Sequence, residues 1–299
     1  MKEVLLKTAF VFILAFATIS LANGSNDGKS KEPATGSSLW EISGNGLRHN
    51  SYLLGTLHVM CHEQFRVSEQ LLDLLSKSSQ LILEIDLSDP NYLVAFQQGM
   101  FMPDGQHIRN LLDDQAYREL QTFFKDSLGM NLEQLGMIKP LLLSSVMYSH
   151  LLQCKIQGYE PFLSDFATKN NIPVLGLETV KEQLDFFKTI SYEQQSELLV
   201  EMIRRYIETR MRYFEMVEKY IAGDLDGLSL LLLQESALIE NLYDVFYLQR
   251  NRAWINDIEK HIIETKTFIA VGAGHLPGEE GLIQLLRNQG YQLKPLLLY

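Results

Sequence analysis

The sequence predicts an α/β fold with a central mixed β-sheet built from both ends of the chain, flanking helices and a largely helical middle insertion. Strand patterns concentrate near the two ends of the 299 residues, and helical patterns fill the centre. The strands are continuous apolar runs, which is typical of a sheet covered on both faces. A chain of this length and ordinary composition is long enough to bury a sizeable core.

The first 38 residues are expected to lie outside the folded domain. Two lysines precede an uncharged apolar run that closes on small residues, the order found in a secretory signal peptide. We expect cleavage after Ala22 and export to the periplasm or the medium. An uncleaved anchor is the alternative and would be the only membrane contact, although the run is shorter than the roughly 20 residues of a membrane span. Residues 23–38 predict a flexible linker, and residues 39–299 the folded domain.

The elements of the first half follow from local patterns. "LWEIS" and "SYLLGTL" flank the turn-rich "GNGLRHN" and predict a hairpin. "EQLLDLLSKS" predicts an amphipathic helix, and "QLILEIDL" a buried strand that ends in carboxylates. Residues from about 90 to 169 predict mostly helices, which form the middle insertion.

The second half returns from helices to strands. "IPVLGLE" predicts a short strand that leads into a helix at "TVKEQLDFF". Residues 192–221 predict a long helical stretch that stops at the turn-forming "AGDLDG", and helix resumes over residues 228–264. "TFIAVGAGH" predicts a strand, residues 279–288 a helix, and "YQLKPLLLY" a final strand.

Charge and cysteine content restrict the classes of partner. The formal net charge is −11 and the sequence has no basic cluster, so a nucleic-acid partner is not expected. Cys61 and Cys154 would meet an oxidising compartment after export, where they could form a disulfide. Two buried free thiols are the alternative. The oligomeric state is not predicted.

Two distant strands end in the same motif, Gly-x-x-His. "YLLGTLHV" contains Gly55 and His58, and "FIAVGAGHLPG" contains Gly272 and His275. Glycine near the end of a strand allows a sharp turn or close approach to a ligand. The carboxyl ends of strands form the ligand-binding edge of open α/β sheets, so both imidazoles could face one crevice. Two unrelated histidines, each hydrogen-bonded in place, are the alternative.

Three further sequence features lie near these motifs. Glu84 and Asp86 end the strand "LILEID", where alternation puts them on one face, either in the crevice or in water. The glycines after "FIAV" lack the acidic residue and the following βαβ unit of a dinucleotide site. His62 lies four residues after His58, but "HVMCH" lacks the glutamate of a zincin motif, so His62 is a weak ligand candidate.

The chain resembles the TraB/GumN family, which includes the Tiki metalloproteases. The resemblance runs from about residue 39 to the C-terminus and rests on five ordered blocks, "SYLLGTLHV", "LILEIDL", "IPVLGLETVKEQLDFF", "QRNRAWINDIE" and "FIAVGAGHLPGEEGLIQLLRNQGY". One departure is visible: "GYE", Gly158 to Glu160, stands where many members carry Gly-x-Asp, which leaves the substrate open.

The resemblance implies an exported metal-dependent hydrolase, most simply a peptidase, acting on a peptide or small molecule. His58, His275 and Glu84 are then the metal ligands, Glu84 and Arg250 the catalytic residues, and Asn251 and Glu178 substrate-binding residues. This donor set suits zinc, manganese, cobalt or iron alike. The alternative is a non-catalytic protein that captures a peptide signal or a haem-like ligand in the same crevice.

Overall fold

The computed structural model of the protein describes residues 37–236 and 242–298. The expected signal peptide, residues 1–22, and residues 23–36 of the expected linker lie outside these ranges. The predicted fold class is confirmed: a six-stranded mixed sheet is flanked by helices, and the middle of the chain is largely helical. No helix in the described ranges has both the length and the apolar character needed to cross a bilayer.

The sheet joins strands from both ends of the chain. The strands are β1 (Leu39–Gly44), β2 (Ser51–Thr56), β3 (Met60–Cys61), β4 (Gln80–Leu83), β5 (Ile156–Gln157), β6 (Val174–Gly176), β7 (Thr267–Gly272) and β8 (Tyr291–Leu296). The central sheet has the order β6-β4-β7-β2-β1-β8. Strands β6, β4, β7 and β2 are parallel, and β1 is antiparallel to both β2 and β8. The predicted hairpin is β1–β2.

Helices cover the sheet and fill the middle of the chain. They are α1 (Glu69–Ser76), α2 (Tyr92–Gly99), α3 (Asp114–Asp126), α4 (Leu132–Leu135), α5 (Pro140–Leu152), α6 (Tyr159–Lys169), α7 (Val180–Phe186), α8 (Tyr192–Arg204), α9 (Tyr206–Ile221), α10 (Leu225–Ser236), α11 (Gln249–Glu264) and α12 (Leu282–Asn288). A π-helical turn at Asp244–Leu248 leads directly into α11. All residues of β2 and β7 are buried, as the continuous apolar runs predict.

The long helix predicted over residues 192–221 is divided in two. Arg205, between α8 and α9, leaves the helical region at φ −109° and ψ 32°. The sequence has no glycine or proline there, so the helical pattern gave no signal for the bend. The predicted stop at "AGDLDG" is confirmed, because Gly223 adopts the left-handed conformation with φ +69° that favours glycine.

A small ribbon beside the sheet was not predicted. β3 pairs with β5 in antiparallel register, and a disulfide between Cys61 and Cys154 closes the same corner. Strands of two residues are too short to show a periodic pattern. The ribbon matters for the site because His58 lies just before β3 and Glu160 just after β5.

Candidate functional site

The two Gly-x-x-His motifs lie side by side at one edge of the sheet. β2 and β7 are parallel neighbours, with Thr56 opposite Gly272, and His58 and His275 follow the ends of these strands. β4 pairs with the other side of β7, so Glu84, one residue past β4, reaches the same edge. The structure therefore brings the three predicted ligands together.

The Glu84 carboxylate lies between the two imidazoles. Its Oε1 is 3.7 Å from Nε2 of His275 and 4.0 Å from Nε2 of His58, and it accepts a 2.7 Å hydrogen bond from the backbone N–H of Gly272. Burial alone would raise the pKa of Glu84, but the Arg250 guanidinium and the nearby imidazoles hold that pKa at about 2. Glu84 is thus an ionised, firmly held acceptor.

Asn251 fixes the tautomer of His275. The Asn251 amide nitrogen donates to the carbonyl oxygens of His275 and Glu280, at 3.1 and 2.9 Å. Its amide oxygen therefore accepts from Nδ1 of His275, at 2.7 Å, and leaves a lone pair on Nε2. Burial, supported by the Arg250 charge, holds the pKa of His275 well below its usual range. His275 is neutral and presents Nε2 towards Glu84.

Glu160 holds His58 in the matching orientation. Nδ1 of His58 lies 2.7 Å from Oε1 of Glu160, which also accepts from the Thr56 hydroxyl. Burial would lower the pKa of His58, but the charge and hydrogen bond of Glu160 together with the charge of Glu84 raise it. With its Nδ1 proton held by Glu160, His58 turns Nε2 towards Glu84. A carboxylate behind a ligating imidazole is common in metal centres.

Arg250 is fully buried, and all of its N–H groups have partners. Nη2 donates to Glu84 and Glu178, each at 2.5 Å, and Nε donates to Glu178 at 3.2 Å. Nη1 donates to the Phe246 carbonyl at 3.1 Å and lies 3.2 Å from Nε2 of His275. These contacts use the five donors of the guanidinium. Its charge compensates the two buried carboxylates.

Glu178 belongs to the layer behind the three predicted ligands. Its carboxylate accepts from Arg250, from Gln183 at 2.8 Å and from the Trp254 indole at 3.2 Å. Burial raises its pKa. Gln183 also reaches Glu84, at 3.4 Å. Glu178 and Asn251 are both buried and bound to other protein groups, so they orient Arg250 and His275 respectively.

Steric contacts favour glycine at both motif positions, Gly55 and Gly272, but the contacts differ. A Cβ on Gly55 would lie 2.9 Å from the Leu276 side chain and 3.0 Å from the Ala273 backbone, so it would block the close packing of β2 against the loop that carries His275. A Cβ on Gly272 would lie 3.0 Å from Nε2 of His58 and 3.2 Å from Oε1 of Glu84. The missing side chain of Gly272 leaves open the space that the two motifs and Glu84 enclose.

A cavity of about 50 Å³ adjoins this space. That volume can hold an ion and a few water molecules. Apart from the two histidines, the described residues of its lining are uncharged and mostly apolar or aromatic, and they include Leu57, Val59, Tyr148, Tyr213, Met216, Leu228, Leu232, Tyr247 and Ala273.

The donor set fits a divalent metal ion. Two imidazole nitrogens and a carboxylate oxygen are common zinc ligands, and the space beside Gly272 lies between them. In a formed centre such atoms lie about 3.4 Å apart, given metal–ligand distances near 2.1 Å. The Glu84 distances of 3.7 and 4.0 Å are slightly longer, so ligation requires a small inward movement.

One tighter group of possible ligands lies elsewhere in the described ranges. Atoms of Cys61, Glu63 and Cys154 lie within 4.8 Å of one another, and no other group of three histidine, cysteine or acidic residues there is as compact. The two sulfurs are joined in the disulfide, so they offer no thiolate. We therefore do not assign a metal to this group.

Two residues considered from the sequence lie outside the site. The strand ends at Leu83, before alternation can carry Asp86 into the crevice, and Asp86 accepts hydrogen bonds from the backbone and hydroxyl of Ser88. His62 is exposed and its Nδ1 lies 2.6 Å from the side-chain oxygen of Gln157. Of the two positions expected for Asp86, the crevice or the solvent side, the structure has the second.

Two contributors were missed from the sequence. Glu160 was visible only as a departure from the family pattern, and its contact with His58 depends on the β3–β5 ribbon. Tyr247 lines the cavity and packs on the His275 ring at a centroid distance of 5.1 Å. Its aromatic neighbours in the sequence resemble core residues, so no local signal distinguished it.

Comparison with known proteins finds distant relatives of the chain. The chain is 23% identical to the metalloprotease TIKI1 of Xenopus tropicalis, over 95% of this chain and 67% of that protein. It is 21% identical to TIKI1 of Danio rerio, over 82% of this chain, and spans only 60% of that relative's length. The uncharacterized protein YbaP of Shigella flexneri is 24% identical, over 83% of this chain and 91% of its own.

No solved structure matches the chain. The TraB/PrgY/gumN family profile matches residues 38–295, which contain all the site residues described above. The chain therefore belongs to the TraB/PrgY/gumN family.

Proposed function

We propose that the protein is an exported metal-dependent peptidase whose ion is held by His58, His275 and Glu84. The observation that carries the proposal is the convergence of two Nε2 atoms on Oε1 of Glu84 beside the open space at Gly272. The metalloprotease name of the TIKI1 relatives supports the same reaction class. The donor set does not distinguish zinc from manganese, cobalt or iron.

A bound divalent ion would lower the pKa of a water molecule and polarise the scissile carbonyl. The protein's part is to fix the ligands. Asn251 and Glu160 hold the Nδ1 protons, so both Nε2 lone pairs point inward. Glu84, with a pKa of about 2, is a weak proton acceptor, so we assign it the ligand role rather than that of general base.

Arg250 acts first as a positioning residue for Glu84. Four of its five donors remain on carboxylates and on the Phe246 carbonyl whatever happens at His275. When Nε2 of His275 serves as a ligand, its lone pair no longer accepts from Arg250. That single N–H then becomes free for a substrate oxygen, which agrees with the catalytic role expected from the sequence.

The cavity wall indicates the class of substrate. Among the described residues that line it, only the histidines can carry a charge, and most of the others are apolar or aromatic. We therefore propose that the peptide places an uncharged hydrophobic side chain there, because burying an unpaired charge would be unfavourable.

The Cys61–Cys154 disulfide supports export to an oxidising compartment.

The test is metal analysis of the mature protein, followed by a peptide-library screen with and without chelator. We expect bound metal and cleavage that chelation abolishes and metal restores. Cleavage that survives full removal of the metal would contradict the proposal. Ligand binding without cleavage in any metal-loaded form would favour the capture protein that the sequence left as an alternative.

A matched pair of histidine variants sharpens this screen. His58→Asn removes a proposed ligand, whereas His62→Asn removes an exposed histidine four residues away. We expect the first variant to lose both metal and cleavage and the second to keep both. Equal behaviour of the two variants would show that His58 has no special role in metal binding.

A further inference from the structure

Most hydroxyl groups around the cavity already donate hydrogen bonds to other groups of the protein. Tyr213 donates to the backbone carbonyl of Val59, Ser145 donates to that of Leu142, and Thr56 donates to Glu160. These groups stabilise the walls and are not available to a substrate. Tyr247 differs, because its hydroxyl has no acceptor among the residues that the structure describes, while its side chain lines the cavity.

The Tyr247 ring is held over the second Gly-x-x-His loop. It packs on the His275 ring at 66° between planes, and a Cβ on Gly274 would lie 2.4 Å from its Cε1 and 2.9 Å from its Cζ. Gly274 therefore lets the phenol rest directly on the loop backbone. The position of the ring is set by packing on both partners, so the side chain is held at a fixed place in the cavity wall.

A π-helical turn presents this residue. The backbone N–H of Gln249 bonds to the carbonyl of Asp244, five residues earlier, which marks the wider π register. In this turn the Phe246 carbonyl accepts from the side chain of Arg250. Tyr247 thus lies in the irregular turn and Arg250 in the first turn of α11 directly after it, and π-helical turns often occur at functional sites.

We infer that the Tyr247 hydroxyl donates a hydrogen bond to the oxygen of the scissile carbonyl as that oxygen becomes negative. This inference rests on the proposed peptidase function. The water oxygen bonds to the carbonyl carbon while the π pair moves to the carbonyl oxygen. The pair on that oxygen then re-forms the carbonyl as the C–N bond breaks, the C–N electron pair stays on nitrogen, and nitrogen receives a proton that came from the water.

Tyr247 keeps its proton throughout this sequence and acts only as a donor. A phenol is protonated at neutral pH because its ordinary pKa is about 10. A neutral donor directed at a developing oxyanion stabilises the transition state more than the ground state. A ring that only fills space beside His275 would not need its hydroxyl, so Tyr247→Phe separates the two roles.

The experiment uses zinc-loaded full-length mature protein and a phosphinic dipeptide with apolar side chains, whose tetrahedral anionic group replaces the scissile amide. Calorimetric affinity is measured for the wild type, Tyr247→Phe and Tyr243→Phe. Tyr243 is the matched control, because its ring packs on Tyr247 at 5.0 Å but its side chain does not line the cavity. Zinc content is measured in every sample.

We expect Tyr247→Phe to keep its zinc and to bind the phosphinic dipeptide roughly 10- to 100-fold more weakly, the effect of one hydrogen bond to a charged group. Tyr243→Phe should bind it as the wild type does. Equal affinity of Tyr247→Phe and wild type, an equal loss in Tyr243→Phe, or no binding by the wild type would overturn the inference. A wild type that binds the probe but cleaves no peptide would overturn the peptidase proposal and the inference with it, whereas a wild type that cleaves peptides but binds the probe no better than Tyr247→Phe would overturn the inference alone.

Discussion

The carboxylate of Glu84 accepts a 2.7 Å hydrogen bond from the backbone N–H of Gly272. This bond ties the end of β4 to the end of β7, so the acidic ligand and the second histidine loop are held in one arrangement. Because Gly272 also lacks a side chain, the same residue fixes Glu84 and leaves room beside it. The glycine of the second motif is thus part of the proposed metal centre.

Gly272→Ala should weaken metal binding without unfolding the protein. Its φ of −51° and ψ of 136° are open to alanine, but the new methyl group would lie against His58 and Glu84. We expect zinc affinity to fall roughly 10- to 100-fold, since forcing a methyl into a packed site costs about 1–3 kcal/mol. Zinc titration measures the loss, and thermal unfolding of the metal-free variant checks the fold. Unchanged affinity would show that this space does not hold the ion.

Metal affinity should fall as the pH decreases, because a proton on His58 competes with the ion. Glu160 and Glu84 raise the pKa of His58, so competition begins above the usual histidine value near 6.5. The pKa of His275 is depressed, so it competes only at lower pH. Glu160→Gln removes one of these charges and should move the midpoint of zinc loss to lower pH. A midpoint that stays in place or rises would contradict the assigned partnership.

Arg250 should be far more important for stability than its neighbour Arg252. Arg250→Met leaves Glu84 and Glu178 buried without their cation, which costs about 3–5 kcal/mol for a broken buried pair. Arg252 is 47% exposed and pairs with Asp244 and Glu280, so Arg252→Met should change the free energy of unfolding only a little. Urea unfolding of the metal-free proteins measures both. A similar loss in the free energy of unfolding for the two variants would show that the buried network does not stabilise the fold.

The disulfide should stabilise the protein and the His58 loop together. Cys61 and Cys154 are 93 residues apart, and the chain-entropy model gives about 4–5 kcal/mol for closing a loop of that length. The double variant Cys61→Ser with Cys154→Ser should unfold at lower urea and bind zinc more weakly. Thiol titration of the denatured, unreduced wild type should find no free thiol. Two free thiols would remove the basis of this expectation.

The strands of the sheet could be predicted because each is marked by a pattern of adjacent residues. The apolar runs of β2 and β7, the hairpin turn after β1 and the repeated Gly-x-x-His motif each lie in a few adjacent residues. Parallel strands end at one edge, so the meeting of His58, Glu84 and His275 followed from topology. Their detailed metal-binding roles came from the family resemblance, and they remain proposals.

The supporting layer could not be predicted because it depends on long-range contacts. Glu160 reaches His58 only through a two-residue ribbon, and Glu178, Gln183 and Trp254 meet around Arg250 from separate elements. Arg250 was expected to contact a substrate. In the structure, its guanidinium instead contacts five acceptor atoms of the protein itself. Patterns in sequence show which face is buried, but not which buried polar groups pair.

Anomalous diffraction at the zinc edge from zinc-loaded crystals tests the central claim most directly. The account predicts one strong peak beside Gly272, at about 2.0–2.2 Å from Nε2 of His58, Nε2 of His275 and a carboxylate oxygen of Glu84. The peak should vanish in crystals of His275→Asn. A peak located at Cys61, Glu63 and Cys154, or zinc that persists beside Gly272 in the His275→Asn crystals, would contradict it.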